Sequence, residues 1–484
     1  MIITAMDNWK PAPGVLLEWH PTERARELAA AATVDDTPPS FLQDGHIRSY
    51  QSKHAAGERH RAYLGATTEF DGELDESALT CALQRYVLGH EGLRTSFSMD
   101  GDTIARHRVD PAAVEFEVRD VGRTDDHTEF MTYIDERFGR EATPIGWPGF
   151  SFGAVRRPGS FTLYYGTDHA FSDGASQILV ISELADLYRA EVEGTEPVDT
   201  SEISHSFLEY VRRERTAAAA VDHDSPAVAE WTRILTARGG VMPKFPLDLG
   251  LAPGETAPVR PVELDLLDAS ETDAFDKICH ESGARTNGGI FAAIAITDHE
   301  LAGVDDYFGI TVLSTRGRDF AVSQGWFCNF APVSFDVAGA RTFTELASVA
   351  QEGYARAKAL AAAPVHAVLG TLIASGVAGP DVASSPNLLS YIDFRRFPGA
   401  GSPTDDRAVL FTGEGRTANA SMWINRDARH LYLGSQTPDT AIARANIERY
   451  HRHLASVFVA VARDGDYVIT DPNTTKGTRA GHHD

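Results

Sequence analysis

The sequence predicts an α/β (α+β) protein built as two regions of similar size, each with a mixed β-sheet as its skeleton. Three observations predict this. A chain of 484 residues is too long for one ordinary hydrophobic core and suits two domains of about 200 residues each. Strand-like alternation and helical spacing of apolar residues succeed one another on both sides of the middle of the chain. Between Thr216 and Pro261 an alanine run, a helix around Trp231 and a Gly/Pro-rich stretch mark a change of composition. The predicted division is a first lobe over 1–215, a crossover over 216–260, a second lobe over 261–470 and a disordered tail over 471–484.

Residues up to about Ser40 are rich in Pro and Ala with little periodicity, as expected of a segment draped over a folded domain. Ala62 to Phe70 predicts a strand. Asp75 then offers an N-cap to a helix with Leu79, Ala82, Leu83, Tyr86 and Val87 at helical spacing. From Ser151 the pattern is a hairpin. Phe152 to Val155 lead to a turn at Arg157-Pro158-Gly159, and Phe161, Leu163 and Tyr165 alternate after it. The second strand delivers the segment Asp168-His169-Ala170-Phe171-Ser172-Asp173-Gly174. Beyond it, Ile178, Ile181, Leu184, Ala185 and Tyr188 form one face of a helix.

The second region opens with a strand over Val262 to Leu266 and a helix from Glu271 that Ser270 can cap. Asn287 to Leu301 predicts a buried Ala/Ile-rich helix, and further strands are expected over 307–313, 331–337, 388–394, 420–425 and 430–434. Asp439 opens a closing helix with Ile442, Ile447, Tyr450, Leu454, Phe458 and Val461 on its apolar face. His451 and His453 on that helix read as surface residues.

The chain carries 44 basic against 69 acidic residues, a net charge of -25, which disfavours a broad nucleic-acid or anionic-membrane surface. Any anionic ligand must meet a local basic patch. Cys81, Cys279 and Cys328 are far apart and outside any Cys-x-x-Cys spacing, so neither a disulfide framework nor a zinc site is indicated and each reads as a buried thiol. The N-terminus lacks a basic start followed by an apolar run, and no stretch approaches the roughly 18 apolar residues of a membrane span. These features predict a cytoplasmic protein.

The segment around His169 carries the chemistry. Histidine is the side chain best matched to proton abstraction near neutral pH, and here it sits on a short connection between an alternating strand and an amphipathic helix. Asp173, four residues later, can brace the loop through an ion pair, and Gly174 lets the backbone turn or approach a substrate closely. A bare His-x-x-x-Asp is a weak signal, since about one match is expected by chance in a chain with this many histidines. The competing reading is a capped loop with a structural histidine.

With its flanks, the segment resembles the condensation-domain and chloramphenicol-acetyltransferase-like superfamily, whose hallmark is His-His-x-x-x-Asp-Gly. His90-Glu91-Gly92-Leu93-Arg94-Thr95-Ser96-Phe97 is similar to an early segment of that family, and Gln324-Gly325-Trp326-Phe327-Cys328-Asn329 to a later one. Leu388 to Phe394 and Leu431 to Leu454 resemble further family elements. The opening Asp7-Asn8-Trp9-Lys10-Pro11 and Trp19-His20-Pro21-Thr22 resemble the stand-alone polyketide-associated (Pap-type) acyltransferases of actinobacteria, which join acyl groups to hydroxyls of lipids or related metabolites.

The resemblance implies two chloramphenicol-acetyltransferase-like lobes in a V with a substrate tunnel between them, and His169 as general base for acyl transfer from a thioester. Asp173 takes the place of the structural aspartate, with Arg316 as its implied partner and Arg318 as a competitor. Asp168 replaces the first histidine of the hallmark. Gly174, Trp326, Asn329, Ser390, Tyr391 and Trp423 are candidates for oxyanion or substrate contacts, against the alternative that they are core and strand-end residues. No metal or cofactor is expected, coenzyme A or phosphopantetheine entering as part of the donor. The expected partners are an acyl-CoA or an acyl or peptidyl carrier protein and a small alcohol or amine, the protein acting as a monomer. The rival functions are amide-forming condensation in a nonribosomal peptide or hybrid pathway, and a non-catalytic docking module for a carrier protein.

Overall fold

The computed structural model describes residues 1–383 and 386–471. The predicted tail, 471–484, lies outside the described residues apart from Asp471. The chain forms two compact units. The first comprises Met1–Thr216, Ser314–Cys328 and Phe394–Gly415, and the second Ala217–Leu313, Asn329–Asp393 and from Arg416 onward. Two short segments from the predicted second lobe therefore belong to the first unit. Composition carries no record of which sheet or ion pair a late segment joins, which is why contiguous boundaries were expected.

The first unit is built on a seven-stranded sheet in the order Ile2–Ile3, Val409–Thr412, Tyr63–Asp71, Ser160–Asp168, Phe150–Arg157, Val15–Pro21 and Phe116–Arg123. The predicted hairpin is its centre, with Phe152 opposite Tyr165 and Arg157 opposite Ser160. The N-terminal segment departs from the expectation. Val15–Pro21 is an inner strand of this sheet, and Leu16, Leu17 and Trp19 are buried in it. Both faces are buried, but only Leu17-Glu18-Trp19-His20 alternates between apolar and polar residues, too short a stretch among prolines for periodicity to pick out. Its one acid, Glu18, is buried against Arg137 at 3.0 Å.

Helix Glu76–Gly89 starts on Asp75, whose side chain accepts the Ser77 and Ala78 amides. It packs on helix Gly174–Glu193, which is fixed to the sheet when Gln177 donates to the Phe411 carbonyl at 2.8 Å. Segment 90–97 is architectural: His90 meets the Glu183 carboxylate at 2.8 Å, and Leu93 and Phe97 are buried.

The second unit holds a seven-stranded sheet in the order Cys328–Asp336, Asp306–Ser314, Leu388–Asp393, Ser421–Arg426, His430–Pro438, Ala257–Asp268 and Arg416–Thr417. Helix Thr286–Ala302 is buried from Gly288 to Thr297 and packs on helices Phe343–Leu360 and Ala441–Asp464. The stretch expected as a crossover contains helix Pro226–Thr236, whose Val228, Trp231 and Leu235 enter a core with Val368 and Leu372.

Several local expectations are corrected. The helix expected from Glu271 begins at Ala269, and Asp268 caps it because a carboxylate in reach of the Glu271 amide outcompetes the Ser270 hydroxyl. Thr440 rather than Asp439 caps the closing helix, and Ile442 is exposed at its first turn. His451 is buried, whereas Cys81 is exposed.

Candidate active site

His169 lies where the strand Ser160–Asp168 ends. The strand's last pair is Tyr63 with Asp168, and the His169 amide then donates to the Ala62 carbonyl at 3.0 Å. A short 3-10 turn, His169–Phe171, leads through Ser172 to helix Gly174–Glu193. The half-buried imidazole is held through Nδ1, which stands 2.9 Å from the Ser172 carbonyl oxygen. A carbonyl only accepts, so Nδ1 carries the proton of the neutral ring and Nε2 keeps a free lone pair. Burial pushes the His169 pKa below its ordinary value, and the neighbouring His46 adds to the effect. The ring is therefore neutral, and able to accept a proton, at physiological pH. Trp326 lies against it, with ring centroids 3.9 Å apart.

Asp173 is committed to partners other than the His169 ring. Its side chain caps the helix by accepting the Ser176 amide at 2.7 Å, pairs with Arg316 Nη2 at 2.7 Å, and accepts the Phe327 amide at 2.9 Å. Burial alone would raise its pKa, but Arg316 and these donors hold it below the usual carboxylate value. Arg316 also donates to the Phe320 carbonyl, and its guanidinium lies over the Phe327 ring at 4.5 Å. The pair thus binds segment 314–328 to the start of the helix. Gly325 completes the join, exchanging hydrogen bonds with the Ser176 hydroxyl at 2.8 and 3.1 Å. Its φ of 153° and the Phe207 ring, 2.3 Å from where a Cβ would stand, leave room for glycine alone.

Asp168, the residue at the hallmark's first position, is fully buried and ionised. His46 Nε2 lies 2.9 and 3.1 Å from its two oxygens, His60 Nε2 lies 2.7 Å from Oδ2, and the Ala170 amide donates to Oδ1 at 2.8 Å. Burial would raise its pKa, but the two imidazoles outweigh burial and hold it at about 2. His46 reaches it from helix Phe41–Ala55, where Gln43, one turn earlier on the same face, donates to the Ala170 carbonyl at 2.8 Å. Among the described residues, His46, His60 and Asp168 are the one group whose ligand-type atoms converge as a metal site would require. Each histidine stands at hydrogen-bond length from Asp168, closer than the roughly 3.3 Å between ligand atoms around a tetrahedral zinc with bonds of about 2.0 Å. The trio fits a shared carboxylate better than a metal centre.

His46 and His60 were not singled out from the sequence. They stand 122 and 108 residues from Asp168, and no spacing rule spans such separations. The one available signal was the acid at the hallmark's first position, since an aspartate that ends a buried strand needs donors.

The other predicted residues divide between the units. His169, Asp173, Gly174, Arg316 and Trp326 are in the first unit, whereas Asn329, Ser390, Tyr391 and Trp423 are in the second. Asn329 is excluded as an oxyanion donor because its side chain is fully engaged. It donates to the Ala361 and Ala363 carbonyls at 2.8 and 2.7 Å and accepts the Phe330 and Val365 amides. Ser390 is paired with Trp423 on neighbouring strands and shares its face. Tyr391 points to the opposite face, toward the second unit's core. The Trp423 indole N–H is buried with no hydrogen-bond partner among the described residues. Gly174 is the first residue of its helix, where backbone amides have no intrahelical acceptor.

The family model described as the Condensation domain matches residues 36–372. The chain belongs to this family. It is 34% identical over 475 residues to the 2'-acyl-2-O-sulfo-trehalose (hydroxy)phthioceranyltransferase PapA1 of Mycobacterium tuberculosis, covering 96% of this chain and 89% of that protein. It is 28% identical to the acyltransferase PapA3 of Mycobacterium tuberculosis, over 96% of this chain and 98% of that one. The solved structure of the PapA2 acyl transferase superposes with a TM-score of 0.84 at 25% identity, over 96% of this chain and 100% of the other. These relatives make the condensation-family chain a Pap-type acyltransferase with the mixed α/β fold of PapA2. Among the described residues, no single helix is long and apolar enough to cross a membrane.

Proposed function

We propose that this acyltransferase moves an acyl group from a thioester to a hydroxyl of a lipid or related metabolite, with His169 as the general base. The observation that carries the reading is the His169 ring itself. It is neutral, tautomerically fixed by the Ser172 carbonyl and half-buried against Trp326, with Nε2 left to accept a proton. The names of the relatives point to a sugar hydroxyl of a trehalose derivative as the class of acceptor.

In this reading the acceptor hydroxyl gives its proton to His169 Nε2 as its oxygen attacks the thioester carbon. First-turn amides of the helix at Gly174 are suited to stabilise the oxyanion, because helix N-termini present unpaired donors and a favourable dipole. Collapse of the tetrahedral species breaks the C–S bond, and the imidazolium returns the proton to the departing thiolate. The chemistry requires no metal or redox group, and coenzyme A or a carrier protein's phosphopantetheine arrives as part of the donor. Three unpaired cysteines suit a reducing cytoplasm, and we take the protein to act as a monomer.

The experiment is thiol release and product mass from acyl-CoA donors of several lengths, offered trehalose, trehalose 2-sulfate, long-chain alcohols and amines. Ester formation is expected, with kcat/KM falling about a thousandfold in His169→Ala. Full turnover by that variant would remove His169 as the base, and amide products alone would reassign the acceptor.

A further inference from the structure

Asp168 is adjacent in sequence to the proposed base, yet none of its hydrogen bonds goes to the His169 ring. Instead it gathers donors from three places: His46 on helix Phe41–Ala55, His60 in the loop that follows, and the Ala170 amide within the His169 turn. Two imidazoles on one fully buried carboxylate exceed what capping a turn requires, since the Ala170 amide alone does that. The arrangement also closes on the catalytic ring. His46 lies 6.4 Å from His169 and 5.8 Å from Trp326 between ring centroids, so the three rings are mutual neighbours.

We propose that His46 and His60 are positioning residues for acyl transfer: acting through Asp168, they hold its negative charge beside His169, where it stabilises the imidazolium formed when the acceptor loses its proton. The inference rests on the reading of His169 as the base. It assigns the job that an aspartate performs in a hydrogen-bonded catalytic triad to a carboxylate that acts through space and is oriented by other side chains. Nδ1 of His169 is already taken by the Ser172 carbonyl, so the acid has no direct bond to make and must be fixed from its far side. His60 is the clearest member, because among the described residues its ring nitrogens meet no polar group but Asp168, 2.7 Å away.

The charged and titratable groups around His169 are few. Asp168 flanks it on the strand side, and His46 approaches from helix Phe41–Ala55 with His60 behind it. On the helix side is Asp173, neutralised by Arg316, while the Cys328 thiol is held protonated by burial and by Asp173. Among the described residues no arginine or lysine pairs with Asp168, and its pull on the His169 proton opposes the lowering that burial and His46 produce. Its loss destabilises the imidazolium, so Asp168→Asn lowers the pH at which His169 takes up its proton.

The test follows His169 in the full-length protein by NMR of 13C-labelled histidine, with His169→Gln supplying the assignment. Alongside it runs the pH profile of kcat/KM for whichever acyl-CoA and hydroxyl acceptor turn over. Asp168→Asn is expected to move the His169 titration, and the acid limb of the profile, down by about one pH unit. His60→Leu moves both the same way and lowers kcat about tenfold at unchanged KM. His60→Gln, which keeps an N–H donor toward Asp168, recovers most of the rate. If Asp168→Asn does not fold, the His60→Leu and His60→Gln pair decides the matter.

A His169 titration and profile that stay in place in the folded variants overturn the proposal, because a purely architectural role changes the amount of folded protein and not the base's affinity for protons. Stoichiometric zinc uptake from added ZnCl2, abolished by His60→Leu, also overturns it in favour of a metal centre. If His169→Ala retains turnover, the base reading itself fails. If that variant is inactive while the Asp168 and His60 variants behave as wild type, only the present inference fails.

Discussion

The imidazoles around Asp168 in the first unit and His451 in the second are treated in opposite ways. In the first, His46 and His60 share Asp168, His90 meets Glu183, and His169 donates to a backbone carbonyl. In the second, His451 is 3% exposed on the closing helix and neither ring nitrogen has a hydrogen-bond partner among the described residues. Burial, with a smaller contribution from Arg260, lowers its pKa to about 4. Where the first unit brackets an imidazole with held carboxylates, the second keeps one as a neutral packing group. The comparison shows that burial alone silences a histidine, and that an imagined proton acceptor needs a fixed tautomer and nearby counter-charge to be useful.

Breaking a bracket should have the largest effect. Arg316→Ala leaves Asp173 ionised and buried without its cation, and a loss of about 3–5 kcal/mol is expected from urea unfolding. A loss below 1 kcal/mol would mean that the Ser176 and Phe327 amides suffice to hold Asp173.

The second unit supplies the contrasting case in its pH dependence. The folded-state pKa of His451 is depressed, so the unfolded chain takes up the proton first and stability falls as pH drops from about 6.5 to about 4. The full effect is about 3 kcal/mol, absent above that window. His451→Leu should flatten the decline in melting temperature between pH 7 and pH 4.5. An unchanged decline would place the acid sensitivity elsewhere.

The smallest effect is expected at the join on the Asp173 side. Gly325→Ala must displace the Phe207 ring and should cost about 1–3 kcal/mol, with the pH at which His169 titrates unchanged. A shift in that titration would mean that the two aspartates beside the base are coupled through segment 314–328.

Much of the first unit could be read in advance because its signals are local. The hairpin alternates at period two around Pro158-Gly159, the Asp75 helix has its cap and apolar face, and the segment from Asp168 to Gly174 sits where strand gives way to helix. The strand Val15–Pro21 escaped because its alternating stretch is too short for periodicity to pick out. Between its two readings, substrate contact and strand-end residue, Asn329 was undecided in the sequence because its four hydrogen bonds run to residues more than thirty positions away and to its own neighbour.

The sequence by itself determined the two αβ regions, the placement of His169 between a strand and a helix, and the family, since each depends on periodicity or on residues a few positions apart. Tertiary structure alone decided which arginine meets Asp173, which strand completes the first sheet, and that two distant histidines converge on Asp168. Those outcomes depend on how the chain returns through space. A buried charge selects its partner by distance and desolvation, and neither is written in residue order.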